Sequence, residues 1–376
     1  MPAEWEPHES TWLAWPHFRG DWPGKFDPIP WVYAEIIRHL ARHERVDLIV
    51  NDAESERRAR RVLDRANAFS KNVRFHRWPT DRVWTRDSGC TFVKPGRPSE
   101  PESLCGIKWR FNAWAKYPNW KRDEKIGGKM AQAAGAEEVF AQHGGGRVVL
   151  EGGSIDVNGE GVLLTTEECL LSEVQERNLG FQREDYEKIF AEYLGIRKVI
   201  WLGSGIEGDD THGHVDDITR FVAPDTILTM VEPDEKDSNR RALDENLQRL
   251  KSASDAEGRR FRIVELPMPG PVIFEGRRLP ASYGNFYIAN GLVLVPVFND
   301  PNDRVALNTL AALFPNREVV GIYSGDLIWG FGAMHCMTQQ QPAVVVSRAS
   351  LVVRPCQRKR LDGKKTMARC CPPAKD

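Results

Sequence analysis

Three stretches of the chain repeat one pattern of apolar and polar positions: a short apolar run, a turn, a second apolar run and a polar break. They are SIDVNGEGVLLTTEE (154–168), ITRFVAPDTILTMVEPD (218–234) and NFYIANGLVLVPVFND (285–300). Their turns carry Asn-Gly or Pro-Asp, residues that accept the backbone angles of a tight hairpin. Each hairpin is followed by a segment with apolar residues three and four apart, the helical spacing. These segments are REDYEKIFAEYLG, NRRALDENLQRLKS and DRVALNTLAALFP. A further β-type run closes each unit: RKVIWLG, RFRIVELP and REVVGIY. The predicted unit is strand–turn–strand–helix–strand, present three times at intervals of about 65 residues.

The N-terminal third fits the scheme less clearly. PWVYAEIIRHLARHERVDLIVN reads as helix then strand, AESERRARRVLDRANAFSKNVRFHRWP repeats that order, and VWTRDSGCTFV opens a further strand pair. Tandem units of this kind arrange in a ring or a row, and short strands and helices suit a radial α/β arrangement. A doubly wound nucleotide-binding sheet is disfavoured. No G-x-G-x-x-G or G-x-x-x-x-G-K-[ST] follows a strand, and the glycines of HGGGRVVLEGG and KIGGKM lie in the wrong context.

Composition narrows the classes. With 376 residues, 41% hydrophobic and 28% charged, the chain reads as a soluble globular protein. A net charge of −1 argues against a nucleic-acid partner. No apolar run approaches the roughly 18 residues of a membrane helix. The start shows no cationic segment leading into an apolar run, so a signal peptide is not expected. Seven cysteines without a framework spacing suit a reducing compartment, and the expected location is cytoplasmic.

The unusual polar residues cluster at one phase of the unit, the loop that leads into its first strand. There lie Asp87 in WTRDSG, Glu151 in LEGGSIDV, His214 and Asp216 in HGHVDD, Asn285 in SYGNFYI and Cys336 in GAMHCMTQQQ. In a ring of units, equivalent loops meet at the axis and present these groups to one cavity. Each residue alone has an ordinary reading: a loop ion pair for Asp87, a turn carboxylate for Glu151, a structural histidine for His214, a small buried hydrophobe for Cys336, a helix cap for Asp216 and Asp217. Their shared phase is what joins them. In an extended segment His335 points away from its neighbour Cys336, so the two are not paired here.

Two carboxylates facing one cavity are costly unless a positive group lies between them. A guanidinium suits them, being planar, always protonated and rich in paired donors. A thiolate can attack its central carbon, and a histidine can move the proton that releases ammonia and later activate water. The set points to thiol-dependent hydrolysis of a guanidino or amidino compound.

MPAEWEPHESTWLAWPH, WTRDSG, LEGGSIDVNGEG, THGHVDD, YGNFYIANG and GAMHCMTQQQP, colinear over residues 1 to 343, resemble the agmatine deiminases (agmatine iminohydrolases). These belong to the guanidino-group-modifying superfamily, with the arginine deiminases and the bacterial peptidyl-arginine deiminases. The resemblance implies an α/β fold of the five-bladed propeller (pentein) type, in one catalytic domain over 1–345. It implies conversion of agmatine to N-carbamoylputrescine and ammonia on a route to putrescine, without metal or organic cofactor. The implied partner is a small cationic guanidino substrate, with a homo-oligomer allowed. Cys336 resembles the nucleophile, His214 the general acid and base, and Glu151 a carboxylate that assists proton transfer. Asp87 and Asp216 resemble the guanidinium grip, Trp84 and Asn285 further site residues, and His212 a residue behind the site.

Two features depart from the family. The loop before the nucleophile, WGFGAMHC, carries Trp329, Phe331 and Met334 where several glycines are usual, which bears on cavity shape. The segment 346–376 resembles nothing in the family. From Ser347 to Asp376 it holds nine Lys or Arg against two Asp, and three of the seven cysteines. It reads as a disordered basic extension; a metal knuckle is the poorer reading, since Cys370 and Cys371 are adjacent.

Three rivals stand beside the main reading. A peptidyl- or free-arginine deiminase would need a cation such as Arg110 at the mouth. Agmatine predicts an acidic or aromatic mouth, for which Asp209, Asp210, Trp12 and Trp15 are candidates. A metal-dependent amidohydrolase would use His212, His214 and Asp216. A catalytically inert binding repeat would not keep every matched position.

Overall fold

Asp156–Val157 runs antiparallel to Val162–Thr166. The chain then passes through the helix Arg183–Leu194 and returns as Lys198–Leu202, parallel to the middle strand, with Val162 opposite Lys198. Thr219–Ala223, Thr226–Val231 and Arg262–Pro267 repeat this order around the helix Arg240–Ser252. Tyr287–Ala289, Leu292–Val297 and Glu318–Tyr323 do so around Asn302–Leu313. Thr91–Val93, Cys105–Lys108 and Glu137–Phe140 do so around Ile126–Ala134. These are the computed structural model's first four units; it describes residues 1–96 and 103–344, and those residues pack as one unit.

The fifth unit is assembled from both ends of the chain. Its middle strand, His8–Ala14, pairs in parallel with Arg45–Val50 across the helix Ile29–Leu40. Its first strand is Gln339–Pro342, antiparallel to the middle one with Thr11 opposite Gln340. A second helix, Ala53–Arg65, adds an outer strand, Val73–Arg77. Among the described residues there are thus five sheets of one topology, as expected of the five-bladed α/β propeller.

The middle strands explain why the repeat is legible. Val162–Thr166 is buried along its whole length, and Thr226–Val231 and Leu292–Val297 are buried over five of six residues. Each is covered on both faces, so it reads as a continuous apolar run rather than an alternating one. The helices bury one stripe; Arg240–Ser252 buries Leu243, Asn246, Leu247 and Leu250. The tight turn at Asn290-Gly291 places Gly291 at φ +64°, a conformation glycine adopts without steric cost.

A short helix or 3₁₀ turn precedes the first strand in each of the five units: Thr85–Ser88, Gly152–Ser154, Val215–Asp217, Tyr283–Asn285, and Leu327–Gly330 ahead of the segment 333–337. The first four pack in succession against one another. Hydrogen bonds close the circle. His335 N donates to Asn285 O at 3.1 Å, Arg86 N to Cys336 O at 3.3 Å, and Thr85 Oγ1 to Met337 O at 2.7 Å. Among the described residues no helix is long and apolar enough to cross a membrane. The basic segment 346–376 that the sequence sets apart lies outside the described residues.

Candidate active site

The ring of turns brings together the residues that the sequence placed at one phase. Asp87, Glu151, His214, Asp216, Asn285 and Cys336 are all buried, and none exceeds 4% exposure. Cys336 Sγ lies 3.0 Å from Asn285 Nδ2 and 3.7 Å from Asp216 Oδ2. The His214 ring stands among three carboxylates. Its Nε2 is 3.8 Å from Glu151 Oε2, and its Nδ1 is 4.0 Å from both Asp87 Oδ2 and Asp216 Oδ1. Gly153 makes this crowding possible. A Cβ there would fall 2.5 Å from His214 Nδ1, 3.0 Å from Asp216 Oδ2 and 3.1 Å from Asp87 Oδ1.

Each acidic group is held differently. Asp87 accepts from Gly153 N at 3.0 Å and from the Trp114 indole at 2.9 Å. Burial lifts its carboxyl to about 6; Asp216 and Glu151 add to the rise and His214 opposes it. Burial also pushes Glu151 up, but the Arg177 guanidinium (Nε to Oε1, 3.0 Å) and His214 outweigh it and leave the carboxyl below its ordinary range. For Asp216 the burial cost is outweighed by His335, whose Nδ1 lies 2.6 Å from Oδ2. Asp217 accepts from Asn285 Nδ2 at 2.9 Å. Burial, with Asp216 and Asp209 nearby, drives it well above the ordinary range.

His214 and Cys336 both retain their protons. Burial disfavours a charged ring, but Asp87, the nearby Cys169 thiol and Glu151 together raise His214 well above its ordinary value. Burial, reinforced by Asp216, Asp217 and Asp87, raises the Cys336 thiol. Within the chain, Asp216 Oδ1, Glu151 Oε2 and both His214 ring nitrogens have no hydrogen-bond partner. Buried polar atoms are seldom left so unless they have work to do.

Above the thiol opens a cleft of about 500 Å³ including its mouth. Trp84, Asp87, Trp114 and Cys336 line its inner part; Asp21, Arg82, Tyr117 and Asp210 line its outer part. Gly332 lets the Trp84 indole close over the nucleophile, since a Cβ there would lie 2.6 Å from the indole and 3.0 Å from Cys336 Cβ. Trp114 is carried on three successive residues in the left-handed region, Ala113, Trp114 and Ala115 at φ 52°, 58° and 53°. None is glycine, and such a conformation costs roughly 1–2 kcal/mol per residue. The expenditure sets the indole on Asp87.

Several expectations are corrected. Trp12 and Trp15 belong to the core rather than the mouth: Trp12 is a middle-strand residue whose Nε1 bonds Gln341, and Trp15 packs edge-on to Tyr33. Asp209 does not face the cleft either; it accepts from the backbone of Thr211, Gly213 and His214 and so holds the turn that carries the histidine. Asp210 does line the mouth, bonded to Tyr117 and Lys116. His212 turns outward to Ser172 Oγ, so His212, His214 and Asp216 do not converge on a metal. Arg110 is exposed and outside the cleft lining. Of the three bulky residues before the nucleophile only Phe331 lines the cleft; Met334 is core and the Trp329 indole bonds Pro23 O. Asn285 lies against the thiol rather than lining the cleft. Among the described residues two donor groups are compact enough to share an ion, Glu151–Cys169–His214 and Asp216–Asp217–Cys336.

The sequence reading missed Asp21, Arg82, Trp114, Tyr117, Arg177 and Asp217. The aromatic cluster NAWAKYPNW, which carries Trp114 and Tyr117, is a signal that could have found two of them.

Known proteins share this arrangement of chain and fold. The family description Porphyromonas-type peptidyl-arginine deiminase matches residues 1–342. The agmatine deiminase of Ectopseudomonas mendocina is 36% identical over 366 residues, covering 91% of this chain and 95% of that protein. The structure of the Enterococcus faecalis agmatine deiminase superposes with a TM-score of 0.82 at 30% identity, covering 91% and 95% of the two chains. A cysteine-to-serine variant of the C. jejuni agmatine deiminase, solved with substrate bound, superposes with a TM-score of 0.79 at 29% identity over 92% and 96%.

Gly153→Ala tests the crowding directly. The added methyl must push His214 or Asp216 aside, and displacements on that scale cost about 10²-fold in rate. The expected result is a loss of about 10²-fold in kcat/KM with the fold retained by circular dichroism.

Proposed function

This chain belongs to the Porphyromonas-type peptidyl-arginine deiminase family, and from that membership we propose that it hydrolyses agmatine to N-carbamoylputrescine and ammonia through a covalent intermediate on Cys336. One observation carries the reading: a buried thiol that lines a cleft, backed by Asp216 and Glu151, each of which keeps an acceptor oxygen unpartnered within the chain. A guanidinium brings a positive charge and five N–H donors to such oxygens.

Asp87 and Asp216 take the guanidinium nitrogens, and the Trp84 and Trp114 indoles flank the alkyl stem. The arriving cation offsets the carboxylates that hold the thiol protonated, so the Cys336 proton passes to solvent, where it ends on the released ammonia, and the thiolate attacks the guanidinium carbon. The imidazolium of His214 gives its proton to one nitrogen, the C–N bond breaks and ammonia leaves. A cationic amidino-thioether remains on Sγ. The now neutral His214, steadied by Glu151, takes a proton from water as the oxygen adds to the same carbon. The C–S bond then breaks, the thiolate recovers a proton and the product carries the new C=O.

The mouth favours an ammonium at the substrate's far end. Asp21 is buried, with Oδ2 unpartnered within the chain, and burial raises its carboxyl to about 7 despite Arg82. Asp21, paired with Arg82, keeps that oxygen as an acceptor for an amine, and Asp210, paired with Lys116 and Arg277, stands beside it in the lining. Ammonia release from agmatine, arginine and a peptide ending in arginine tests the assignment. Agmatine is expected to be strongly preferred, with activity lost in Cys336→Ala and kept after EDTA treatment. Preference for arginine or the peptide would move the protein to a sister activity; activity lost with EDTA but kept in Cys336→Ala would contradict the thiol mechanism.

The pH dependence of binding has a definite sign. Asp87 and Asp21, at about 6 and about 7, carry protons below those values and then grip a cation poorly. Agmatine affinity, measured by calorimetry on Cys336→Ala, should therefore fall as pH drops through 7 to 6. Both carboxyls are raised by folding, so their contribution to stability is greatest at low pH and is lost as pH rises through these values. Loss of binding near pH 6 is therefore not acid unfolding driven by these two groups, since their protonation favours the folded state.

A further inference from the structure

The N-terminal stretch MPAEWEPH matches the family, yet nothing in the chemistry above uses it. The structure carries its Glu4 to the ring of turns, on the side away from the cleft. The Glu4 carboxylate is buried; it forms an ion pair with Arg220 Nη2 at 3.0 Å, accepts from Arg86 Nη2 at 3.3 Å and Ile288 N at 2.8 Å, and lies 2.8 Å from His335 Nε2. Arg220 is itself fixed by Asp156 Oδ2 at 2.5 Å and Phe286 O at 2.8 Å. The other nitrogen of His335 lies 2.6 Å from Asp216 Oδ2. Glu4 and His335 line a small separate cavity with Arg86 and Gln340, and neither lines the cleft.

We propose that Glu4 and His335 are positioning residues for the guanidinium grip, acting through Asp216. His335 occupies one oxygen of that carboxylate, which leaves Oδ1 as the oxygen free to meet the substrate. Glu4 in turn holds the imidazole. The ring thus bridges two buried carboxylates, one at each nitrogen. Without Glu4 the ring is free to turn, and Asp216 loses the partner that fixes its orientation. Outer partners that orient a binding group typically change its performance by about 10–100-fold when removed. The inference deepens the deiminase reading and rests on it.

A network that merely held the fold would show in melting temperature and not in recognition of the guanidinium. The test uses the full-length protein as Glu4→Gln, His335→Gln and His335→Ala. It measures kcat and KM on whichever guanidino substrate the wild type turns over, with inhibition by methylguanidine, which has no distal amine. The expected result for Glu4→Gln and His335→Ala is a rise in KM and in the methylguanidine inhibition constant by one common factor of about 10–100. His335→Gln should be milder, since its amide restores one donor to Asp216. Should Glu4→Gln fail to fold, the two His335 variants decide. Folded variants with lowered melting temperature but with KM and inhibition constant within about twofold of wild type would overturn the proposal. A wild type inert toward every guanidino compound would overturn the deiminase reading, and this one with it.

Discussion

Four carboxylates crowded onto one buried axis are the constraint on which this structure turns. Asp87, Glu151, Asp216 and Asp217 stand within a few side chains of the Cys336 thiol, none more than 3% exposed. Ionised groups so placed cost several kcal/mol each unless paired. The chain answers them one by one. Arg177 takes Glu151, His335 takes Asp216, an indole and a backbone N–H take Asp87, and Asp217 is pushed toward its neutral form. What remains, beside the His214 ring, are acceptor oxygens of Asp216 and Glu151 with no hydrogen-bond partner in the chain. The carboxylates that raise the thiol in the free protein are those that meet the substrate's cation, and that added positive charge favours the thiolate.

Holding those groups in place requires the ring to close, and it closes through the two ends of the chain. Gln339–Pro342 supplies the first strand of a blade whose middle strand is His8–Ala14. The buried Gln341 Oε1 accepts from both Trp12 Nε1 and Ser10 Oγ across that seam. Glu4 lies just before the middle strand and Cys336 just before the closing one. The strand pairing that completes the fold therefore also sets the nucleophile, His335 and Glu4 on the axis.

Much of this was legible in the sequence because the repeat is written locally. Asn-Gly turns, unbroken apolar middle strands and helical spacing lie within one unit, and the catalytic candidates follow from its phase. What was not legible depends on partners distant in the chain. His8–Ala14 lacks strand alternation because both of its faces are covered, so Trp12 within it and Trp15 just after it passed for mouth residues. Glu4 and Asp21 sit in polar N-terminal segments that read as solvated until the fold buries them. Asp209 carries the charge of a mouth residue but is consumed by backbone N–H groups, a use of aspartate that composition does not reveal. An extended segment would set His335 apart from the thiol, but residues 334–337 form a turn, and His335 Nδ1 and Cys336 Sγ both reach Asp216 Oδ2, at 2.6 Å and 3.7 Å. That shared contact is one a pattern of neighbours along the chain cannot show.

The account's central claim is a carbon–sulfur bond to Cys336 formed during turnover. The most direct measurement is intact-mass and peptide mass spectrometry on the enzyme quenched in acid while it turns over agmatine. The account predicts a transient adduct of substrate less ammonia, located on the peptide that contains Cys336 and absent when substrate is exhausted. Turnover with no adduct on that peptide, together with activity that survives Cys336→Ala, would contradict it.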